Sequence, residues 1–422
     1  MIKRDLYLNK IRPFKNKQII KVLTGIRRCG KSTILEQIVD ELKKDGVKEE
    51  NIILINFELE EYFNIRNIDQ LSNHINKLVK NNHEKKYLFF DEIQNVKNWE
   101  KLINSYLAKK QFDIYITGSN AKLLSGELAT YLSGRYIEIK IYPFSFSEFL
   151  KYKNLQNEKY NQKNKNKDLK HKNIEKYKRE YKIKDLFYEY LKFGAMPSTL
   201  AFEDNEKIKL FHDLYNSIIL KDVVQRNEVR DIDLLDRIVR YIMANVGQLF
   251  SANSIVKYLK KDKVKISTKT IYNYLSYLED ACLINKVRRE DLIGKKLLNY
   301  IEKFYVVDLG FRQVLFGNNE GDIGQSLENI VYNELIRRDY NVTIGKFRDK
   351  EVDFVCKKNN QTVYIQVSYI LADKTTIKRE FDPLIKIKDN YPKYVITMDE
   401  VDMSRSGIKH INVIDFLKGD II

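Results

Sequence analysis

The sequence predicts an α/β protein of several domains: a parallel sheet opened by a glycine-rich strand-to-helix turn, a helical stretch, an α+β region and a closing α/β region. Three observations predict it. The mainly apolar run from Ile19 to Leu23 leads through "TGIRRCGKS" into a segment with Ile34, Leu35, Ile38, Val39 and Leu42 on one helical face. Two more strand-like runs, "KKYLFF" and "FDIYIT", each break off into polar residues, as strands do where a parallel sheet carries its site. At 422 residues the chain also exceeds one ordinary core.

The first turn, Gly25-Ile-Arg-Arg-Cys-Gly30-Lys31-Ser32, is a complete P-loop pattern. Glycines let backbone N–H groups turn inward around phosphate, and the helix that follows adds the positive end of its dipole. Lys31 is then expected to reach the β- and γ-phosphates and the Ser32 hydroxyl to ligate Mg²⁺. Arg28, Cys29 and Thr33 are counted with Gly25, Gly30, Lys31 and Ser32 as nucleotide-contacting positions, and Arg27 is given no role. Cys29 sits near enough to the phosphates for oxidation or alkylation to block binding. The second run ends in Asp91-Glu92, on a strand expected to neighbour the loop's own. Asp91 would support the Mg²⁺ and Glu92 would polarise the attacking water. The third run ends in Thr117, Ser119 and Asn120, polar groups suited to detecting a γ-phosphate. Trp99, the one tryptophan, is read as packing the helix "WEKLINSYLAKK" into the core.

Taken in order, the loop, Asp91-Glu92-Ile93-Gln94, and "ITGSN" followed by "LSGRYIEIKIYPFSFSEFL" resemble the AAA+ superfamily of ATPases. The resemblance is nearest to a prokaryotic branch that joins such a domain to a C-terminal region of unknown function. Gly134-Arg135, "YPFSFSEFL" and a glycine–proline turn like "FGAMP" recur in that branch. The resemblance implies ATP as the nucleotide, and no N-K-x-D motif follows the third strand to mark guanine. It also implies Arg135 as an arginine finger acting in cis or in trans. The other reading of Arg135 is a helix-end arginine paired with Glu138.

With 75 Lys plus Arg against 58 Asp plus Glu, the net charge is +17, which favours a polyanionic partner, nucleic acid first. Lysines scattered among Asn, Ile and Tyr are equally what an AT-rich coding sequence produces. Cys29, Cys282 and Cys356 lie far apart, which excludes a disulfide framework or zinc knuckle and fits a reducing cytoplasm. No signal-like apolar start and no run long enough to cross a bilayer is found, so a cytoplasmic location without membrane contact is expected.

The chain divides on these readings into an ATPase domain (1–150), a basic insertion with helical lid and linker (151–228), a winged-helix domain (229–315) and a nuclease-like domain (316–422). The insertion, from Lys151 to about Lys184, is too poor in aliphatics to bury much surface. Three amphipathic helices and a basic ribbon after Asp231 form the winged-helix pattern. On DNA, Thr268, Lys269, Asn273 and Ser276 would face the groove, and Lys286, Arg288, Arg289, Lys295 and Lys296 would lie at phosphates. The last hundred residues resemble the PD-(D/E)xK nuclease fold. Carried over, Glu328 and Asp353 match its metal-binding acids, but Gln366 stands where the second acid belongs and Ser368 where the lysine belongs. That departure implies a nuclease-like scaffold without cleavage.

The expected activity is ATP binding and Mg²⁺-dependent hydrolysis, coupled to a DNA-binding C-terminal region. A signalling switch with a protein-binding winged helix and an ATP-gated nuclease are the alternatives. Nucleotide-dependent self-association goes with an Arg135 supplied in trans.

Overall fold

The computed structural model describes residues 2–79, 84–120, 132, 134–165, 183–261, 266–294, 301–317 and 320–419. The chain forms two compact units. The first comprises Met1–Pro143, Leu220–Val223 and Asp280–Cys282; the second comprises Phe144–Ile219, Val224–Glu279 and Leu283–Ile422.

The first unit runs α1 (Asp5–Ile11), β1 (Ile20–Thr24), α2 (Lys31–Lys44), β2 (Ile52–Asn56), α3 (Ile68–Leu78), β3 (Lys86–Asp91), α4 (Trp99–Ala108), β4 (Phe112–Gly118) and β5 (Tyr136–Lys140). All five strands are parallel, in the order β2-β3-β4-β1-β5. The three inner strands are buried at every position, as continuous apolar runs are when both faces of a parallel sheet are covered; the edge strands β2 and β5 are only partly so. Val22, Ile55, Leu88, Phe90, Ile114 and Ile116 make the core with Trp99 and Ile103 of α4, so Trp99 packs as expected. A fully buried ion pair, Lys21 with Asp113, ties β1 to β4. Such a pair costs much to bury and more to break, so it specifies register rather than adding stability.

The strand order corrects one expectation. β4, not β3, lies beside β1, pairing Lys21–Thr24 with Tyr115–Gly118. Asp91 therefore stands one strand away from the loop, and the end of β4 fills the gap.

The second unit begins with α5 (Phe146–Lys165), α6 (Ile183–Phe193), α7 (Asp204–Ser217) and a π-helical stretch Ile218–Gln225, of which Leu220–Val223 belongs to the first unit. Then come α8 (Ile232–Ala244), α9 (Ala252–Lys261), α10 (Thr268–Asp280), β6 (Ile284–Asp291), β7 (Glu302–Val306), α11 (Leu309–Phe316), α12 (Ile323–Arg337), β8 (Asn341–Phe347), β9 (Lys350–Lys358), β10 (Gln361–Val367), α13 (Lys374–Lys386), β11 (Lys393–Thr397), β12 (Lys409–Asn412) and α14 (Val413–Lys418). The seven strands form one mixed sheet, β12-β11-β10-β9-β8-β6-β7.

The three helices and hairpin expected after Asp231 are present, with β6 and β7 antiparallel. The far end of β6, Arg289–Asp291, then pairs in parallel with Ile344–Lys346 of β8. The hairpin and the C-terminal strands thus share a sheet across the expected division at residue 315. The "FGAMP" turn has a physical reason: Gly194 has φ +63°, and a Cβ there would stand 1.9 Å from the Asp308 carboxylate. Asp308 uses that space to accept from the Ala195 N–H at 2.8 Å and the Gly310 N–H at 2.9 Å. Lys295, Lys296 and residues 166–182 of the basic insertion lie outside the described residues. Among the described residues, no helix is long and apolar enough to cross a membrane.

Candidate functional site

The loop between β1 and α2 needs glycine at its first position. Gly25 has φ +147°, and a Cβ there would stand 2.2 Å from the Ile141 carbonyl oxygen. Gly30, at φ +99°, caps α2. Lys31 follows as the first residue of the helix, 4% exposed. Its Nζ donates to the carbonyls of Gly25 at 3.1 Å and Ile26 at 3.3 Å, and stands 3.4 Å from Glu92 Oε1. Ser32 is the next residue of α2, and its hydroxyl favours the ionised form of the Asp91 carboxyl. Thr117, at the end of β4, donates its hydroxyl to Asp91 and accepts the Glu92 N–H at 2.9 Å. The β4 strand that separates loop and acid strand thereby clamps both acids.

The electrostatics follow from this packing. Burial pushes the Asp91 carboxyl up, opposed by the hydrogen bonds from Ser32 and Thr117. Burial acts on Glu92 in the same sense, but there the Lys31 ammonium and the Gln94 amide prevail and hold it below the ordinary carboxylate range. Glu92 also sits at φ +55°, a left-handed conformation uncommon outside glycine and frequent at functional sites.

Ser119 and Asn120 are fully buried at the end of β4. Ser119 Oγ lies 3.4 Å from Asp222 Oδ1, and Asp222 holds Arg27 of the loop in a fork, Nε–Oδ2 3.1 Å and Nη2–Oδ1 3.2 Å. Asp222 is 1% exposed. Beneath the loop, the Arg4 guanidinium donates to the Cys29 carbonyl and the Tyr142 carbonyl, both at 2.9 Å, and lies 4.5 Å from the Tyr7 ring centroid. Gln37 of α2 accepts the Arg4 N–H at 3.0 Å. Arg4, Arg27 and Asp222 were not readable as site residues. For Asp222 one signal existed, an acid inside the apolar stretch "IILKDVVQ".

Arg28 is exposed at φ +65° and Thr33 half-buried. Cys29 is fully buried and burial raises its thiol, which corrects the expectation that a reagent would readily reach it. Arg135 is also corrected as a finger acting in cis. It precedes β5, and its carbonyl accepts the Ile20 N–H at 2.9 Å, at the opposite end of the sheet from the loop. Five residues of strand separate the two ends, roughly 16 Å. Its exposed side chain donates to Asn104 rather than pairing with Glu138, which takes the Thr24 hydroxyl.

A second cluster lies in the second unit. Glu328 of α12 and Asp353 of β9 come together as the nuclease resemblance implies, but around a lysine that the sequence reading missed. Lys303 of β7, 4% exposed, places its Nζ 2.9 Å from Glu328 Oε1, 2.7 Å from Glu351 Oε1 and 4.0 Å from Asp353 Oδ1. Burial weighs against the charge, but the three carboxylates outweigh it and raise the Lys303 ammonium above its ordinary range. Gln366 turns elsewhere, accepting the Asp353 N–H at 2.7 Å and donating to Glu380 at 3.0 Å. Ser368 is buried at the end of β10. The signal for Lys303 was a lysine within "EKFYV", a strand buried at every position.

On α10, Lys269, Asn273 and Ser276 are exposed, and Thr268 is half-buried; Arg288 on the hairpin is exposed and Arg289 half-buried. Lys286 is engaged by Glu279 at 3.2 Å.

Residues 17–150 match the AAA domain family, and residues 184–322 and 323–416 match two families described as domains of unknown function. A protein of Haemophilus influenzae, named only as uncharacterized, is 38% identical over 418 residues, covering 99% of this chain and 98% of its own. An uncharacterized protein of Methanocaldococcus jannaschii is 35% identical over 422 residues, covering 98% of this chain and 88% of its own. Among solved structures, AMPPCP-bound DnaA from Aquifex aeolicus is similar at 15% identity over 64% of this chain and 85% of that one, with a TM-score of 0.29. A likeness at that score carries no weight.

Proposed function

This chain belongs to the family of those Haemophilus influenzae and Methanocaldococcus jannaschii proteins, and from its AAA domain we propose that it binds and hydrolyses ATP with Mg²⁺ and passes the nucleotide state to its C-terminal region. The observation that carries the reading is the convergence of Lys31, Glu92 and the Thr117-held Asp91 at one end of a parallel sheet.

Each group has a part. The loop N–H groups and the start of α2 receive phosphate oxygens. Lys31 now donates to two neutral carbonyls. A phosphate oxygen forms a stronger, charge-assisted bond and displaces them. Ser32 and Asp91 are hard oxygen donors of the kind Mg²⁺ takes and would hold it, where it would supply charge neutralisation for the phosphates. Glu92, kept ionised, orients and polarises the attacking water. Its basicity rises as Lys31 turns from it toward phosphate. Ser119 and Asn120, polar and buried at the end of β4, support a role in detecting the third phosphate.

Asp222 supports the coupling. Arg27 is held by this acid from Leu220–Val223, a segment grouped with the first unit although the chain on both sides belongs to the second. When phosphate draws Arg27 away, that segment loses the forked ion pair. The exposed face of α10 with Arg288, together with the net charge of +17, supports double-stranded DNA as the partner of the C-terminal region. Arg135, exposed and remote from its own loop, fits only a finger supplied to a second copy.

ATP turnover by the full chain with Mg²⁺, without and with double-stranded DNA at two salt concentrations, tests the reading against Lys31→Ala as background. A rate no higher than that background overturns the ATPase. A salt-sensitive rise with DNA is expected. Turnover indifferent to DNA overturns the DNA partner and assigns the α10 face to a protein.

A further inference from the structure

We infer that the acidic cluster around Lys303 is a cation site occupied by the chain's own ammonium group, and that this excludes the divalent metal on which a nuclease-like centre depends. The inference goes beyond the ATPase reading and does not depend on it.

The geometry tests the fit directly. A divalent cation needs several oxygens drawn onto one point, at 2.0–2.6 Å for Mg²⁺ or Ca²⁺. Glu328, Glu351 and Asp353 do point at one place, and Nζ of Lys303 is at it, within 2.7–4.0 Å of all three. An ammonium offers three protons and no vacant site for a shared ligand. Two of the oxygens carry a further bond as well. Glu328 Oε1 also accepts the Tyr305 hydroxyl at 2.6 Å, and Asp353 Oδ2 accepts the Val367 N–H at 2.8 Å. Gln366, a neutral amide, serves the Asp353 backbone and Glu380 instead of facing the cluster. Among the described residues, no group of three or more His, Cys, Asp or Glu side chains is arranged to hold a metal ion.

Lys303 is anchored in β7, a strand buried at every position, so it cannot swing out to admit a metal without exposing its own burial site. A tethered cation differs from a bound one in that it never dissociates, and it brings no water to activate. The cluster keeps the fold that a metal would have organised, and surrenders the hydrolysis.

Mn²⁺ titration of the full chain without nucleotide, by calorimetry, tests this. Wild type and Asp353→Asn should titrate alike. Lys303→Ala should gain roughly one equivalent of Mn²⁺, and Lys303→Ala with Asp353→Asn should lose it again. Lys303→Ala should also melt at a higher temperature with Mn²⁺ than without, while wild type is unmoved. Three outcomes overturn the inference: a wild-type Mn²⁺ site that Asp353→Asn removes, a folded Lys303→Ala that gains none, or wild-type cleavage of DNA in Mn²⁺ that Asp353→Asn abolishes. The first and third use chains that keep Lys303, so they stand even if Lys303→Ala does not fold.

Discussion

Lys31 and Lys303 are both buried ammonium groups set among carboxylates, and they are held in opposite ways. Lys31 gives its hydrogen bonds to two backbone carbonyls, with one carboxylate at 3.4 Å. Lys303 is closed in by carboxylates, two of them within 3 Å. A neutral carbonyl yields to phosphate, whereas two carboxylates in direct contact with the ammonium hold it far more strongly. The residue type is the same in both. What separates a working lysine from a structural one is the strength of the partners it must leave.

That contrast is easiest to break from the catalytic side. Glu92→Gln keeps the loop and Lys31 intact, so ATP binding should persist while kcat falls by about 10²–10⁴, the usual worth of a positioned base. Equal turnover by Glu92→Gln and wild type would take water activation away from Glu92. From the structural side, Lys303→Ala leaves three acids around an empty point and should cost about 3–5 kcal/mol in denaturant unfolding of the second unit. Lys31→Ala should cost about 1 kcal/mol or less, since functional sites hold strain that mutation relieves. Equal losses for the two would erase the distinction. The smallest effect sharpens the coupling rather than the chemistry. Asp222→Ala leaves Arg27 with only its 3.3 Å pairing to the more exposed Glu58 and should tighten ATP about fivefold, a typical coupling between sites, read by titration with a fluorescent nucleotide. A loss of affinity matching that of Arg27→Ala would make Asp222 a mere support for the loop.

Parts of the site were readable because they are local. Gly25, Lys31 and Ser32 fall within eight residues, and Asp91-Glu92 and Ser119-Asn120 each end an apolar run, so spacing and hydrophobicity suffice to find them. What joins them was not readable. Thr117 is named by its position, but its clamp on Asp91 and Glu92 depends on β4 lying between β1 and β3, and strand order has no local signature. Asp222 meets Arg27 across 195 residues of sequence and Lys303 meets Glu328 across 25, each by folding alone. Arg135 shows the converse error. The family resemblance implied a finger there, yet β5 runs parallel to its neighbour β1, so the residue just before it lies at the end of the sheet opposite the loop. Glu328 and Asp353, paired on the nuclease resemblance, both lie within 4.0 Å of Lys303, while the two mismatches at Gln366 and Ser368 pointed only to a loss of cleavage and gave no sign of that lysine.

Arg4 has a practical consequence for anyone handling this chain. The AAA match begins at residue 17, which makes that the natural place to trim a recombinant protein. Trimming there would discard the guanidinium that holds the Cys29 and Tyr142 carbonyls, and the Tyr7 ring against which it rests. The excised piece carries no motif when read as text, yet it is the underside of the phosphate loop. A bulky tag fused directly ahead of it would press on the same joint, so an affinity handle belongs at the other end of the polypeptide.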